Sequence, residues 1–305
     1  MTSSNNLSVR SSIPNQTGLP VLCLSACTAQ AGDSTQTGRN NGVKKGKLIV
    51  IEGTDGSGKT VQTRLLVEKL SKEGCQVQMT DFPQYGKSFF ANMIEKYLKG
   101  GFGWPQELRN HLKAYPLSIE KRSLSNIPDN NDTAEHIASR PDEVNPYLTS
   151  LLYAGDRWEA KEQMNKWLIE GNIIISNRYV CSNKAHQGAK ISDIKERKKF
   201  FEWIEELEYK VYTIPRANLT IYLHVPIKIS QELIKTRAKE VEGFKSDADL
   251  HEEDIEYLKK VQGVYIALAN EDSNWCTIEC IKNNQIKSRE EIAEDVWNAV
   301  SKILN

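Results

Sequence analysis

Apolar residues recur along the chain at two alternating periods. KLIVIEG (residues 47–53) is a short apolar run of the strand type. Residues 59–73, KTVQTRLLVEKLSKE, space their apolar positions as one face of a helix. CQVQMTDFP (75–83) reads as a second strand ending in a loop, and SFFANMIEKYLKG (88–100) as a helix. A long helix follows over 145–171, opened by an Asn cap with Pro146 at its first position and closed by Gly171. NIIISNRY (172–179) is a buried strand, 195–209 a helical segment and NLTIYLHV (218–225) another strand. Helices over 226–240 and 251–271, a strand over 274–281 and a closing helix over 288–304 complete the series. Strands alternating with helices predict an α/β fold, a parallel sheet of about five strands covered by helices on both faces. Ligands then belong at the carboxyl ends of the strands.

Two stretches break the alternation. Residues 1–45 are rich in Ser, Thr, Asn, Gln and Gly and read as a disordered tail. Within it LPVLCLSAC resembles a weak signal core, but it starts late, contains Pro20 and lacks a basic cluster in front. A plain tail and a cytoplasmic location are expected, with a mitochondrial transit peptide as the alternative, because acids are few and Arg10 is present. Residues 101–144 read as an irregular insertion into a domain spanning 46–305. No apolar run approaches the length of a membrane span. The 40 Lys and Arg residues balance 40 Asp and Glu, so no overall basic field for nucleic acid exists. Six scattered cysteines form no CxxC pair and read as free thiols of a reducing compartment.

The chemistry begins at IEGTDGSGKT (51–60). Gly53 and Gly58 bracket four residues, and Lys59 and Thr60 follow directly. Glycines let successive backbone N–H groups turn inward as an anion nest, and the following helix adds the positive end of its dipole. In this pattern Gly53, Thr54, Asp55, Gly56, Ser57 and Gly58 wrap the phosphates of a nucleotide. Lys59 reaches the β- and γ-phosphates, and the Thr60 hydroxyl meets magnesium. A bare glycine turn would not explain Lys59 and Thr60 at the helix start.

Four further constellations lie downstream. DFPQYGK places Phe82 at the ligand edge of the sheet, as a base-stacking ring or an ordinary core residue. LLYAGDRWE puts Tyr153 and Arg157 on one helix face, a flat ring and a planar cation suited to a base and to a phosphate or base edge. In IIISNRYVCSNKAHQGAK, Arg178 directly follows a buried strand, with Ser182 and Asn183 in the next turn as donors and acceptors. KTRAKEVEGFKSDAD gathers Lys235, Arg237, Lys239 and Lys245 in a basic segment, read either as a solvated face or as a lid over phosphates near 236–252.

Taken together, these motifs resemble the thymidylate kinase family of P-loop kinases from about Lys47 to the C-terminus. The resemblance implies transfer of the ATP γ-phosphate to thymidine 5′-monophosphate, with Mg²⁺, by an enzyme that is a homodimer. It further implies that Asp55 contacts the deoxyribose hydroxyl and orders the metal shell, which Thr60 joins. Phe82 and Tyr153 would flank thymine, Arg157 and Asn183 read its edge, and Arg178 hold the acceptor phosphate. Family members carry a catalytic basic residue either in the loop or in the lid. The loop position here is Gly56, so the lid residues Arg237 and Lys239, with Lys245 as a further candidate, are expected to supply it.

Three departures stand out. The usual Asp before the signature Arg is Asn177, which keeps a hydrogen bond and loses a charge. The aromatic that crowds a ribose 2′-hydroxyl is His186. The Arg after Phe-Pro is replaced by Gln84 and Tyr85, with Lys87 as a substitute. Two competing readings remain. A deoxynucleoside kinase would need a carboxylate base, for which Asp81 is the candidate, and a non-catalytic nucleotide-binding protein would explain Asn177. No NKxD guanine motif is present.

Overall fold

A computed structural model describes residues 45–99, 144–240, 255–283 and 285–304, all within one compact unit, Val43–Asn305. The tail, nearly all of the 101–144 insertion and residues 241–254, which hold Lys245 and most of the lid expected near 236–252, lie outside the described residues. At 237–240 the description covers the backbone alone.

The sheet is parallel, with strand order β2-β3-β1-β4-β5, formed by Lys47–Glu52 (β1), Val77–Asp81 (β2), Ile173–Asn177 (β3), Leu219–His224 (β4) and Trp275–Glu279 (β5). Its strands alternate faces residue by residue. Ile49 and Ile51 of β1, with Ile175, Ile221 and Leu223, pack beneath Leu66 and Leu70 of α1 (Lys59–Lys72) and Val296 and Val300 of the closing helix. Leu48, Val50 and Ile174 point the other way, against Met164 of the long helix and Phe200 and Ile204 further on. With both faces covered, the central strands carry apolar residues at nearly every position.

The remaining helices, in chain order, are α2 (Phe89–Leu98), α3 (Pro146–Ile169), α4 (Val180–Gly188), α5 (Ile194–Glu205), α6 (Ile227–Glu240), α7 (Ile255–Glu271) and α8 (Arg289–Leu304). Local chemistry fixes several ends. The Asn145 side chain accepts from the Tyr147 N–H at 2.9 Å, with Pro146 at the first helical position, as the sequence predicts. Ser88 caps α2 through a 2.8 Å bond from Ala91. Gly171 ends the α3 turn at φ 82°.

The structure corrects one local expectation and refines another. SNKAHQG is a helix, α4, although its short polar sequence reads as a turn. The helical segment predicted over 195–209 is observed as α5 continued by a π-helical turn, Glu206–Val211, in which the Tyr212 N–H bonds the Leu207 carbonyl at 2.8 Å. Neither has a periodic apolar signature, because nine and six residues are too few to show one. A small antiparallel pair, Ile281–Lys282 with Gln285–Ile286, follows β5.

Ile175 has no solvent exposure at the centre of the sheet. Ile175→Ala is expected to lower unfolding free energy by about 2–5 kcal/mol, read from the urea midpoint. A loss under about 1 kcal/mol would contradict this packing.

Candidate functional site

The carboxyl ends of β1, β2 and β3 converge on one cleft. The loop after β1 supplies its floor. Gly53, Gly56 and Gly58 all have left-handed φ, at 156°, 78° and 86°. A Cβ on Gly56 would stand 2.5 Å from the Ser230 carbonyl and 2.9 Å from Ile234, so α6 leaves no room for a side chain there. Gly58 caps α1 without a side chain, which leaves first-turn amides open to an anion. The buried hydroxyls of Thr54 and Ser57 have no partner among the described residues. These are donors waiting for acceptors, as a phosphate cradle requires.

Lys59 is buried and donates to the Thr54 carbonyl at 2.8 Å, with Asp55 at 3.7 Å. Burial, together with the positive field of Arg178, lowers its pKa to about 8, against the pull of Asp55 and Glu52. Asp55 also pairs with Arg178 Nη2. Arg178 is therefore tied to the phosphate loop across the cleft. The Arg178 Nη1 donates to His186 Nε2 at 3.4 Å and to Ser182 Oγ at 3.3 Å. Because guanidinium only donates, this Nε2 accepts, and the imidazole carries its proton on Nδ1.

Arg178 has φ 66°, a conformation that costs a non-glycine residue roughly 1–3 kcal/mol. The buried carboxylate of Glu52 holds that turn. It accepts from the Tyr179 N–H at 2.9 Å, the Ser182 N–H at 3.0 Å, the Ser182 hydroxyl at 2.6 Å and the Tyr265 hydroxyl at 3.0 Å. Burial raises the Glu52 pKa, and the bonds from Ser182, the Arg178 charge and the other donors oppose that shift.

Beside this charged seam lies a cavity of about 90 Å³. Asp55, Phe82, Tyr153, Arg157, Arg178, Ser182, Asn183 and His186 all line it, so eight residues predicted from sequence come together. Phe82 is both a core residue and a pocket-lining one. It is buried against Tyr179, with centroids 5.7 Å apart, and its ring borders the pocket. Arg157 is 2 % exposed and bound by Glu208, a partner outside its own helix. Burial opposes its charge, yet the Glu208 carboxylate more than offsets this and its pKa is raised. Gln84 turns away from the cleft, its N–H donating to Asp156 at 3.0 Å, while Tyr85 lines the pocket and Lys87 does not. The side chains of Arg237 and Lys239 lie outside the described residues.

Asn177 donates to the Thr60 hydroxyl at 3.4 Å, and its Oδ1 is buried with no partner among the described residues. An orphan carbonyl oxygen beside a hydroxyl at the phosphate loop suits the hydrated shell of a hard divalent cation. Asp81 pairs in register with Asn177, and loss of hydration raises its pKa against the pull of Arg178, Asn177 and Lys59. It is not among the residues lining the pocket.

Sequence reading missed Glu52, Glu208 and Asp156. Glu52 had a signal, as a lone charge ending an apolar strand. Glu208 had none, since it lies in a run of acids and bases.

Comparison with known proteins places the chain. The thymidylate kinase family model matches residues 51–115 and 106–292. A probable thymidylate kinase of Thermococcus onnurineus is 30% identical over 224 residues, 73% of this chain and 83% of that protein. The thymidylate kinase of Mycobacterium tuberculosis is 27% identical over 226 residues, covering 73% and 85%. That of Plasmodium falciparum is 25% identical over 262 residues, covering 85% and 92%. A solved thymidylate kinase from Candida albicans shares the fold, with a TM-score of 0.55 at 19% identity over 85% of this chain and 92% of that one.

A lysine with a pKa of about 8 gains a proton when an anion arrives. Binding of a nucleoside triphosphate at pH 8 is expected to take up about half a proton, and almost none at pH 6. Calorimetry in buffers of different ionisation heat measures this. Lys59→Met should abolish the uptake, and equal uptake in both proteins would contradict the assignment.

Proposed function

The chain belongs to the thymidylate kinase family, and we propose that it transfers the γ-phosphate of ATP to a phosphate oxygen of thymidine 5′-monophosphate, releasing ADP and thymidine diphosphate. The observation that carries this reading is the Asp55–Arg178 pair. It joins the phosphate loop directly to the wall of an aromatic-lined pocket, so donor and acceptor phosphates would meet at one seam.

Two polyanions repel in water, and cations between them offset that repulsion. Lys59 would draw charge from the β- and γ-phosphates, and the open amides at the start of α1, with the Thr54 and Ser57 hydroxyls, would hold the remaining oxygens. Arg178 would hold the acceptor phosphate, released by Asp55 as the anion takes its place. Asp55 is then free to meet the sugar hydroxyl. No general base is needed, because the attacking oxygen is already anionic. Thr60, with Asn177 and Asp55 through water, would hold Mg²⁺, which supplies further charge neutralisation on the phosphates. Gly56 faces α6 with no space for a side chain, which supports a lid origin for the extra cation, with Arg237 and Lys239 as its candidates. Phe82 and Tyr153 would flank the base, Arg157 and Asn183 read it, and Ser182 and His186 border the sugar.

A homodimer is part of the proposal. Phe89 of α2 and Leu148 and Leu151 of α3 remain exposed on two helices that pack together. Such an apolar patch suits a second copy. Among the described residues no helix is long and apolar enough to cross a membrane. Cys75, Cys181, Cys276 and Cys280 are free thiols, which suits the cytoplasm, with the mitochondrial matrix as alternative.

The test is ADP formation from ATP and Mg²⁺ with each nucleoside monophosphate, with thymidine as control. Turnover is expected with thymidine monophosphate and not with thymidine. Phosphorylation of thymidine would instead favour a hydroxyl acceptor and Asp81 as base. Lys59→Ala should lose more than about tenfold in kcat, equivalent to about 1.4 kcal/mol of barrier. ATP binding with no turnover on any acceptor would overturn the kinase reading.

A further inference from the structure

The pocket's polar wall has an unusual support. Glu208 has no solvent exposure and sits in the π-helical turn that follows α5. A turn of this kind carries one residue more than an α-turn and re-aims its side chains, often at functional sites. Here it carries a carboxylate against Arg157 on α3 and Asn183 on α4, two elements far apart in sequence.

The hydrogen-bond inventory then fixes what each of those residues can offer. Glu208 Oε2 accepts from Arg157 Nε at 2.7 Å, and Oε1 accepts from Nη2. The fork is held on one side, leaving Nη1, a donor only, as its unheld end. Asn183 Nδ2 donates to the Ser150 carbonyl at 3.2 Å and faces Glu208 Oε1 at 3.5 Å. Both neighbours are acceptors, so the amide nitrogen must lie on that side. Its Oδ1 is left buried, with no partner among the described residues, in a side chain 3 % exposed that lines the pocket. The wall therefore presents one donor and one acceptor, with Glu208 holding the Arg157 fork and, together with the Ser150 carbonyl, the Asn183 amide.

We propose that Glu208 is a positioning residue that fixes the polarity of the base-reading wall, so that the pocket accepts pyrimidines with a 4-oxo group and a protonated N3 and rejects 4-amino pyrimidines. This rests on the thymidine monophosphate reading given above. Thymine and uracil offer an acceptor at O4 for Arg157 and a donor at N3 for Asn183 Oδ1. Cytosine offers the reverse at both atoms. Unpaired buried groups on both sides then reject it, which is the strongest form of discrimination a hydrogen-bonding site has. Without the Glu208 carboxylate the Asn183 amide keeps only the Ser150 carbonyl and the Arg157 fork can swing, so the wall no longer holds its donor and acceptor in place. Glu208 touches no base itself.

The experiment measures Kd and KM for deoxythymidine, deoxyuridine and deoxycytidine monophosphates on the full-length wild type, Glu208→Gln and Glu208→Asp, with thermal unfolding alongside. The wild type should favour both 4-oxo nucleotides over the cytidine nucleotide by more than about a hundredfold. In folded Glu208→Gln that ratio should fall at least about tenfold through weaker thymidine monophosphate binding, with the KM for ATP unmoved. Glu208→Asp keeps the buried charge and should fall between the two, which guards against a Gln variant that fails to fold. A wild-type ratio in whichever variant folds, or equal loss for all three bases and ATP, overturns the proposal and leaves Glu208 as a structural ion pair. A wild type with no turnover on thymidine monophosphate sinks the underlying reading instead. A wild type active on thymidine monophosphate but without preference over the cytidine nucleotide sinks only the polarity.

Discussion

The carboxylate of Glu52 is the fixed point of this site. It ends the central strand β1 and immediately precedes the phosphate loop. Four donors from the β3–α4 turn, α4 and α7 converge on it. Those bonds offset the cost of burying a carboxyl group and the strain of the left-handed Arg178. Without them the turn after β3 has no reason to reverse where it does, and Arg178 would not face Asp55. The phosphate loop, Arg178 and the start of α4 are thus referred to one atom group rather than assembled independently.

Around that point, charges are arranged to be exchanged. Asp55 stands between Arg178 and Lys59, so two cations are held close without being screened by water. Incoming phosphates compete with Asp55 for both. Pre-positioned cations need little reorganisation when charge develops during transfer, and that is where such sites gain most of their rate. Arg157 follows the opposite logic. Its pair with Glu208 is deeply buried and holds the side chain still at the pocket wall.

The sheet, its helices and the loop were legible because long apolar periodicities and fixed glycine spacings are local properties. The same holds for the eight pocket residues, since Phe82, Arg178 and the Tyr153–Arg157 pair each sit at a strand end or on one helix face. What stayed hidden was long-range or too short to be periodic. Glu208 meets Arg157 across 51 positions through a π-turn that no apolar pattern announces. Glu52 looked like part of the loop rather than its anchor. The replacement of an aspartate by Asn177 was visible, but its consequence, an unpaired oxygen next to Thr60, needed coordinates.

The central claim is that loop and pocket are two halves of one continuous site meeting at the Asp55–Arg178 seam. A single molecule carrying adenosine and thymidine joined 5′ to 5′ through a polyphosphate bridge tests it most directly. Titrated by calorimetry, it should bind one per chain, exclude both ATP and thymidine monophosphate, and bind at least about a hundredfold tighter than either. Affinity no better than that of the tighter half, with the other nucleotide still binding, would mean that the two sites are separate and contradict the account.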